Sequence, residues 1–407
     1  MAAMQGCTHD AGPGGTRRRI LVVSSRYIGD TVLAIPFLRN LRRAFPDAVI
    51  DVLAERAARE VLADCPYHDA LIPWERPPRG RRGWAELRAT AAALRSRGYA
   101  RAYLLKRSSS LALLARLAGI PHRVGFASEG SRLLLTKSVP AARGRHQVWN
   151  YLQQLRCDGI AVDDGHNENW VAAPVASRVA GVLADLPAGR PRVFLAVRGT
   201  DALRFWRPDR WARLVEWLVS DRGCEIVLCG GPADLADHEQ LRAAVGPRVA
   251  AHIHDFSRDL TLRETGGLVA RMDLCVGVDT GLVHLAASFG VPIVVLVGPT
   301  DANRWAPWMA PSEVVRPRRL ARGPLDRLFS RLWPRRDHGL RWAPGRASMD
   351  DIGVAEVQDR VEALLPVGPA AAPALRTIDL RTGRFTYEVV SRPAAAVPAT
   401  KPLAQAH

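Results

Sequence analysis

The sequence lacks the features that mark membrane, secreted and metal-stapled proteins. Its 407 residues contain no apolar run approaching the roughly 18 to 20 residues that a membrane-spanning helix needs. The amino-terminal stretch has no apolar core before its arginines, so we do not expect a secretory signal. The 6 cysteines include no C-x-x-C pair, which argues against a zinc site or a disulfide framework. These absences predict a globular, cytoplasmic protein with reduced cysteines and no bound metal.

Three phosphate and metal motifs are also missing. There is no G-x-x-x-x-G-K-[ST] loop, and no G-x-G-x-x-G sequence follows a predicted strand. No two aspartates stand at positions i and i+2, so the D-x-D metal clamp of many nucleotide-sugar enzymes is absent. The sequence therefore disfavours kinases and dinucleotide enzymes, and we expect no cofactor.

Acidic residues are outnumbered by basic ones. Lysine and arginine total 57 against 40 aspartates and glutamates, which gives a formal net charge of +17 at pH 7. Such an excess predicts an acidic partner, which could be nucleic acid, anionic lipid or a phosphorylated substrate. Because the sequence contains no nucleic-acid-binding motif, we do not expect a nucleic acid among its partners.

Short apolar runs alternate with helical patterns in two successive series, which is typical of parallel sheets covered by helices on both faces. The length suits two domains. We therefore predict an α/β fold with two Rossmann-like domains that face a cleft, where open α/β sheets bind ligands. The predicted divisions are a disordered tail over 1–17, a first domain over 18–160, a linker over 161–175, a second domain over 176–366 that includes an arginine-rich excursion over 316–346, and a low-complexity tail without an ordered element over 367–407.

The segment RYIGDTVLAIPFLRNLRRAFP, residues 26–46, places a glycine and a carboxylate after the first predicted strand. Gly29 and Asp30 fall at the turn before a helix expected from about Thr31. Asp30 could be a helix N-cap. It could instead face a ligand, because the turn after the first strand of a domain opens into the cleft. Gly29 would then let the backbone approach that ligand closely.

The segment GVDTGLVHLAASFGVP, residues 277–292, places Asp279, Thr280 and Gly281 at a helix start and His284 on the first turn. Helix starts bind anions because their first N–H groups have no intrahelical partner and the helix dipole is positive there. The same residues could instead only cap a buried helix. A diphosphate would suit the first interpretation.

Two more strand ends are predicted to reach the same edge of the second sheet. Thr200 and Arg204 lie in the loop of VRGTDALRFWRP, before a helix that begins at Pro208, and Gly231 ends the sequence LCGG. Arg204 could hold a phosphate, while the glycine leaves room for a nucleotide. These three residues complete the predicted donor-binding set.

Three segments carry a family resemblance: SSRYIGDTVLAIPFLRNLRRAFPDAVIDVL, LARLAGIPHRVGF and GVDTGLVHLAASFGVPIVVLVGPTDANRW. They resemble the heptosyltransferases of glycosyltransferase family 9, which act in lipopolysaccharide core assembly. The resemblance runs over about residues 18–310 and resumes at the last predicted helix. It implies the GT-B fold, in which two Rossmann-like domains face each other. It also implies an inverting, metal-independent transfer of a sugar from a nucleoside-diphosphate donor, ADP-heptose in this family, to an anionic glycolipid acceptor.

The resemblance also implies roles for individual residues. The family's aspartate after the first-strand glycine falls on Asp30 and would be the catalytic general base. The family's diphosphate-binding residues fall on Asp279, Thr280, Gly281 and His284. Where the family has a lysine, this sequence has Arg204, which can hold a phosphate through a planar fork. We do not expect the anionic Asp279 to face the phosphates, and its predicted role is to cap the helix.

Other functions share this architecture. A nucleotide-sugar-binding protein without transferase activity and an epimerase or phosphorylase are alternatives, because fold alone does not separate them. The arginine-rich stretch also has two interpretations. It could be a solvated excursion, or a membrane-surface contact built on Leu328, Phe329, Leu332 and Trp333. The second interpretation would bring a cytoplasmic protein to the inner face of the inner membrane, where a lipid-anchored acceptor lies.

Overall fold

The computed structural model describes residues 18–317 except 79, 128, 129 and 143, together with residues 348–365. Two short strands beyond these, Arg376–Ile378 and Phe385–Tyr387, are described by their backbone. The predicted tail over 1–17, nearly all of the arginine-rich stretch over 316–346 and most of the tail over 367–407 lie outside the described residues.

The first half of the chain folds around a six-stranded parallel sheet with the strand order β3-β2-β1-β4-β5-β6. The strands are β1 (Arg19–Val23), β2 (Val49–Ala54), β3 (Ala70–Pro73), β4 (Arg101–Leu104), β5 (His122–Phe126) and β6 (Lys137–Val139). The helices are α1 (Ile28–Val32), α2 (Ile35–Ala44), α3 (Arg56–Leu62), α4 (Arg81–Arg95), α5 (Ser109–Leu117) and α6 (Gln147–Cys157).

The second half repeats this plan, with the strand order β12-β11-β10-β7-β8-β9. Its strands, again parallel, are β7 (Arg192–Ala196), β8 (Glu225–Leu228), β9 (Ile253–Asp255), β10 (Leu274–Val278), β11 (Ile293–Leu296) and β12 (Ser312–Val315). Its helices are α7 (Ala173–Leu183), α8 (Pro208–Ser220), α9 (Leu235–Ala244), α10 (Pro247–Ala250), α11 (Leu262–Val269), α12 (Gly281–Ser288), α13 (Ala302–Trp305) and α14 (Val354–Leu364), with 3-10 helices at Ala202–Arg204 and Met349–Asp351.

Each sheet is buried on both faces. In β1, Ile20 and Val22 enter one apolar cluster while Leu21 and Val23 enter another, because successive strand side chains point to opposite faces. Such two-sided burial explains why the strands read as continuous apolar runs in the sequence. The predicted α/β fold with two Rossmann-like parallel sheets is confirmed.

The helix predicted from about Thr31 begins earlier and is split in two. α1 begins at Ile28, and α2 begins at Ile35 with Pro36 in its first turn. Proline has no N–H to donate and its ring clashes with a preceding helical turn, so the chain starts a second helix there. Gly29 and Asp30 therefore lie in the first turn of α1, which corrects their predicted position in a turn before the helix.

The segment over 161–175 contains no helix or strand until α7 begins at Ala173. Its polar residues are nevertheless packed against the first half. Glu168 accepts a hydrogen bond from Tyr67 Oη at 2.7 Å and pairs with Arg39 at 2.6 Å. Trp170 joins the apolar core of the first sheet. This segment is thus anchored along the first half before the second half begins.

The tail over 367–407 was predicted to lack an ordered element, and this is wrong for two short stretches. The strands β13 (Arg376–Ile378) and β14 (Phe385–Tyr387) pair in antiparallel fashion. β-Branched and aromatic residues such as Thr377, Ile378 and Phe385 favour the extended backbone.

The two halves meet through helices that follow the central strands of their sheets. α1 follows β1 and packs against α12, which follows β10. The carboxyl ends of β1 and β10 are therefore both followed by helices of the contact between the two halves. Among the helices of the described ranges, none combines the length and the apolarity that crossing a bilayer requires.

Candidate active site

Asp30 is held in the first turn of α1 by two hydroxyl groups. Ser25 Oγ donates to Asp30 Oδ2 at 3.0 Å, and Tyr151 Oη donates to Asp30 Oδ1 at 3.0 Å. Tyr151 lies on α6 and is 2% exposed. Its burial, the charge of Asp30 and their hydrogen bond raise the pKa of Tyr151 well above its usual value, so it stays a donor. The Asp30 carboxylate is thereby fixed in orientation while it remains half-buried at the cleft.

The glycines of the two predicted motifs allow the two halves to touch. A Cβ added at Gly29 would lie 2.6 Å from Cδ2 of His284, and a Cβ added at Gly281 would lie 2.6 Å from Cβ of Ile28. Both distances are shorter than real carbon contacts, so side chains at these positions would push α1 and α12 apart. The structure thus brings the Gly-Asp start of the first half against the Asp-Thr-Gly-x-x-His segment of the second.

Asp279 lies between two cationic or potentially cationic side chains. Its carboxylate is 3.5 Å from Arg204 Nη1 and 3.7 Å from His284 Nε2, and Arg204 Nη1 also donates to the Asp279 carbonyl oxygen at 2.9 Å. Burial alone would raise the pKa of Asp279, but the hydrogen bond and charge of His284 and the charge of Arg204 lower it overall. The carboxylate is therefore charged and holds both side chains at the start of α12.

The predicted capping role of Asp279 is wrong. The N-cap residue of α12 is Thr280, and no side-chain hydrogen bond caps this helix. The carboxylate turns instead toward Arg204 and His284, because ion pairing compensates its burial more fully than one amide would. The backbone N–H groups of the first turn are left for another acceptor.

Buried polar atoms without a partner converge on this place. Within the described ranges, Arg204 Nε and His284 Nδ1 are both buried without a hydrogen-bond partner. Buried polar groups are usually hydrogen-bonded in native proteins, and an anion bound at the start of α12 would give these two atoms a partner. Together with the first turn of α12, these atoms are suited to bind a phosphate.

Two residues of the predicted donor set lie further out along the same sheet edge. Thr200 is exposed in the loop after β7, four residues before Arg204. Gly231 is exposed after β8, where its N–H donates to Asp234 Oδ2 at 2.6 Å. Because β8 is two strands away from β10 in the sheet order, Gly231 is not part of the cluster around Asp279.

A cleft of about 390 Å³, counted with the open solvent at its mouth, lies beside Asp30. Residues from both halves line it: Ser25, Asp30, Leu105, Lys106, Arg107, Phe126, Ala141, Gln147 and Tyr151 from the first half, and Arg304 and Trp305 from the second. Burial and the charge of Arg26 lower the pKa of Lys106. The lining thus places cations around a fixed carboxylate.

Sequence reasoning missed several of these residues. Lys106 and Arg107 follow β4 at the carboxyl edge of the first sheet, so the run YLLKR was an available signal. Tyr151 and Arg304 gave no such signal, because their positions depend on how α6 and α13 pack in three dimensions. Among the described residues, no group of three or more His, Cys, Asp or Glu side chains is arranged to hold a metal ion.

Comparisons with known proteins agree with this architecture. The family model described as glycosyltransferase family 9 (heptosyltransferase) matches residues 87–324. Lipopolysaccharide heptosyltransferase 2 of Escherichia coli strain K12 is 27% identical over 313 residues, which cover 73% of this chain and 88% of that protein.

Two solved structures are similar to the fold. One is E. coli ADP-heptose LPS heptosyltransferase II, with a TM-score of 0.69 and 24% identity, covering 85% of this chain and 98% of that one. The other is E. coli heptosyltransferase WaaC with ADP-2-deoxy-2-fluoro heptose, with a TM-score of 0.63 and 19% identity, covering 85% and 99%. The fold is therefore GT-B.

Proposed function

Since the chain belongs to glycosyltransferase family 9 and is a glycosyltransferase, we propose that it transfers heptose from ADP-heptose to a lipopolysaccharide-core acceptor. The transfer inverts the anomeric carbon and needs no metal ion. One observation carries the proposal: the contact of α1 with α12 brings a fixed carboxylate of the first half against the anion-binding cluster of the second.

The donor diphosphate binds at the start of α12. Arg204, His284 and the amides around Thr280 and Gly281 supply its hydrogen-bond donors, while Asp279 keeps the first two in place. Thr200 and Gly231 extend this edge toward the rest of the nucleotide. The similar WaaC structure holds an ADP-linked fluoroheptose, which supports an ADP-sugar as the donor.

The acceptor hydroxyl enters the cleft beside Asp30. As its oxygen attacks C1 of the sugar, the proton passes to Asp30, and the bond between C1 and the diphosphate oxygen breaks on the opposite face. A single displacement of this kind inverts the anomeric centre. The two hydroxyls on Asp30 keep its carboxylate aimed at the cleft, which suits general-base catalysis.

The leaving ADP gains negative charge in the transition state. Arg204, His284 and the first turn of α12 are already in place before the reaction, and fixed donors of this type stabilise developing charge strongly. They take the role that a divalent cation has in D-x-D transferases.

The proposal is tested by incubating the purified chain with heptose-deficient lipopolysaccharide and a panel of nucleotide sugars. We expect ADP release and heptose transfer from ADP-heptose, at the same rate with and without EDTA. Nuclear magnetic resonance of the product should show the anomeric configuration opposite to that of the donor. A strict need for Mg²⁺, or retention of configuration, would refute the corresponding part of the mechanism.

A further inference from the structure

The cleft beside Asp30 is closed by a segment of the second half that lies across the first. This crossing segment, residues 302–308, follows β11 and contains α13. Trp305 and Trp308 pack against the apolar core of the first sheet, and Trp308 Nε1 donates to the Gly165 carbonyl oxygen at 2.7 Å. The ring of His146 stacks on Trp308 with a centroid distance of 4.4 Å. Apolar packing, a hydrogen bond and ring stacking therefore hold the crossing segment against the first half.

Arg304 extends from this segment to a buried glutamine of the first half. Its Nε and Nη2 donate to Oε1 of Gln147 at 3.1 and 3.0 Å. Gln147 is 5% exposed and lies on α6, one turn before Tyr151, which holds Asp30. One helix of the first half thus positions both the carboxylate and a guanidinium that the second half supplies.

The cleft has a charge pattern that suits an acidic ligand. Arg304 lines it on one side, and Lys106 and Arg107 line it from the first half. Neutral sugar hydroxyls are usually bound by amides, hydroxyls and carboxylates, whereas clustered cations suit phosphate or carboxylate groups. A guanidinium carries a permanent positive charge and forms charge-assisted hydrogen bonds with either group.

We propose that Arg304 is a specificity-determining residue, which the donor-binding half contributes to the acceptor cleft, and that it holds a phosphate or carboxylate of the acceptor. The inference rests on the proposed function and specifies the acceptor that the same cleft takes. Because Arg304 belongs to the second half, the cleft recognises its acceptor fully only while the two halves are in contact.

The test compares the parent with Arg304→Ala and Arg304→Lys on three forms of heptose-deficient lipopolysaccharide. One form is untreated, one is dephosphorylated, and one has its carboxyl groups reduced to alcohols. ADP-heptose is the donor throughout. Arg258→Ala is the matched control, because Arg258 is an exposed arginine of the second half that pairs with Glu239. Thermal unfolding checks that each variant is folded.

For untreated acceptor, we expect Arg304→Ala to raise the acceptor KM by about 10- to 100-fold, as the loss of a charge-assisted hydrogen bond predicts. The donor KM should not change. The acceptor KM of Arg304→Lys should lie between those of the parent and of Arg304→Ala. One of the two modified acceptors lacks the group that Arg304 holds, and with it the parent and Arg304→Ala should have the same acceptor KM. Whether this is the dephosphorylated or the carboxyl-reduced form shows whether the group is a phosphate or a carboxylate.

An equal loss on all three acceptors would overturn the inference, because it would show a structural role for Arg304. An unchanged acceptor KM would overturn it as well. If Arg304→Ala does not fold, the same comparison is made with Arg304→Lys. The turnover of the parent separates this result from the proposed function: active parent enzyme with no acceptor effect refutes only the role of Arg304, whereas a parent that transfers no heptose refutes both.

Discussion

At the scale of single residues, the site depends on carboxylates whose orientation is fixed by their partners. Asp30 is bound by Ser25 and Tyr151, and Asp279 is bound by Arg204 and His284. The first carboxylate faces the cleft, while the second is buried and positions cations. The two aspartates therefore have different surroundings, hydroxyl donors in one case and an ion pair in the other, and we propose different roles for them.

Tyr151→Phe removes one of the two donors to Asp30 without changing the size of the ring. We expect kcat to fall about 10-fold, since the loss of one hydrogen bond to a charged group leaves the base less well oriented. ADP binding should not change, because Tyr151 does not line the donor cluster. Steady-state kinetics and titration calorimetry with ADP measure both effects.

Tyr67→Phe is the matched control for this experiment. It also deletes a tyrosine hydroxyl that donates to a carboxylate, that of Glu168, and neither of these residues lines the cleft. If both variants lowered kcat equally, the effect of Tyr151 would be general destabilisation, and its positioning role would be refuted.

Arg204→Ala and His284→Ala each remove a donor from the predicted diphosphate site. We expect ADP affinity to fall about 10- to 100-fold in each variant, because hydrogen bonds to a charged ligand contribute roughly 1 to 3 kcal/mol. Titration calorimetry gives the dissociation constants. Arg213→Ala, which removes an exposed arginine paired with Asp209 on α8, should bind ADP like the parent. Unchanged ADP binding in both site variants would place the donor elsewhere.

The residues that could be predicted from sequence are those marked by local patterns. Asp30 follows a glycine a few residues after the apolar run of β1, and Asp279 directly follows the apolar run of β10, so both could be predicted to lie near the carboxyl ends of these strands. The helix-capping role of Asp279 was mispredicted because its partner Arg204 lies 75 positions earlier in the chain. Tyr151 was not predicted for the same reason, since it contacts Asp30 only after α6 has packed against the first sheet.

At the scale of elements, α6 and its N-cap residue contact Asp30, the cleft and the second half. His146 is its N-cap residue: the Val148 N–H donates to Nδ1 at 3.3 Å, while Nε2 donates to the Ala306 carbonyl oxygen at 2.9 Å. This pattern requires the neutral ring with its proton on Nε2. Burial is the main cause that lowers the pKa of His146 to about 4.

The pKa of His146 predicts how stability depends on pH. An unfolded histidine binds its proton near pH 6.5, whereas the folded one stays neutral until about pH 4. The unfolded state therefore binds more protons in this window, and the free energy of unfolding should fall as the pH is lowered from 6.5 to 4, by at most about 3 kcal/mol. His146→Asn keeps an N-cap side chain but does not titrate, so its stability should fall less.

Urea unfolding midpoints of the parent and of His146→Asn, measured from pH 7.5 to 4, test this difference. Other titrating groups are common to both proteins and cancel in the comparison. If the unfolding midpoints of the two proteins changed with pH in the same way, protonation of His146 would not be what weakens the contact between α6 and the crossing segment.

The helices and strands that could be predicted from the sequence are those with a strong apolar pattern. β1 and β10 were predicted because they are buried on both faces and so form nearly continuous apolar runs in the sequence. β5, β6 and α6 were not predicted, because β5 and β6 begin with half-buried polar or charged residues and α6 buries polar residues such as Gln147, Asn150 and Gln154. The split between α1 and α2 was marked by Pro36, but the apolar pattern runs through it and masks the break.

At the scale of the whole molecule, the GT-B arrangement divides the work between two sheets. In the proposed mechanism the first half supplies the carboxylate and the second supplies the donor cluster, and Gly29 and Gly281 allow the two to touch. The crossing segment brings a part of the second half to the cleft beside Asp30. The cytoplasmic location and the membrane contact through residues 316–346 stay predictions, and the latter falls almost wholly outside the described residues.

We propose above that Asp30 of the first half deprotonates an acceptor for transfer from a donor held by the second half. The most direct measurement is heptose transfer by Asp30→Asn beside the parent, with ADP affinity measured on the same preparations. We expect a loss of turnover of about 10²- to 10⁴-fold, the usual contribution of a positioned base, with ADP affinity unchanged. Transfer by Asp30→Asn at the parental rate would contradict the proposal.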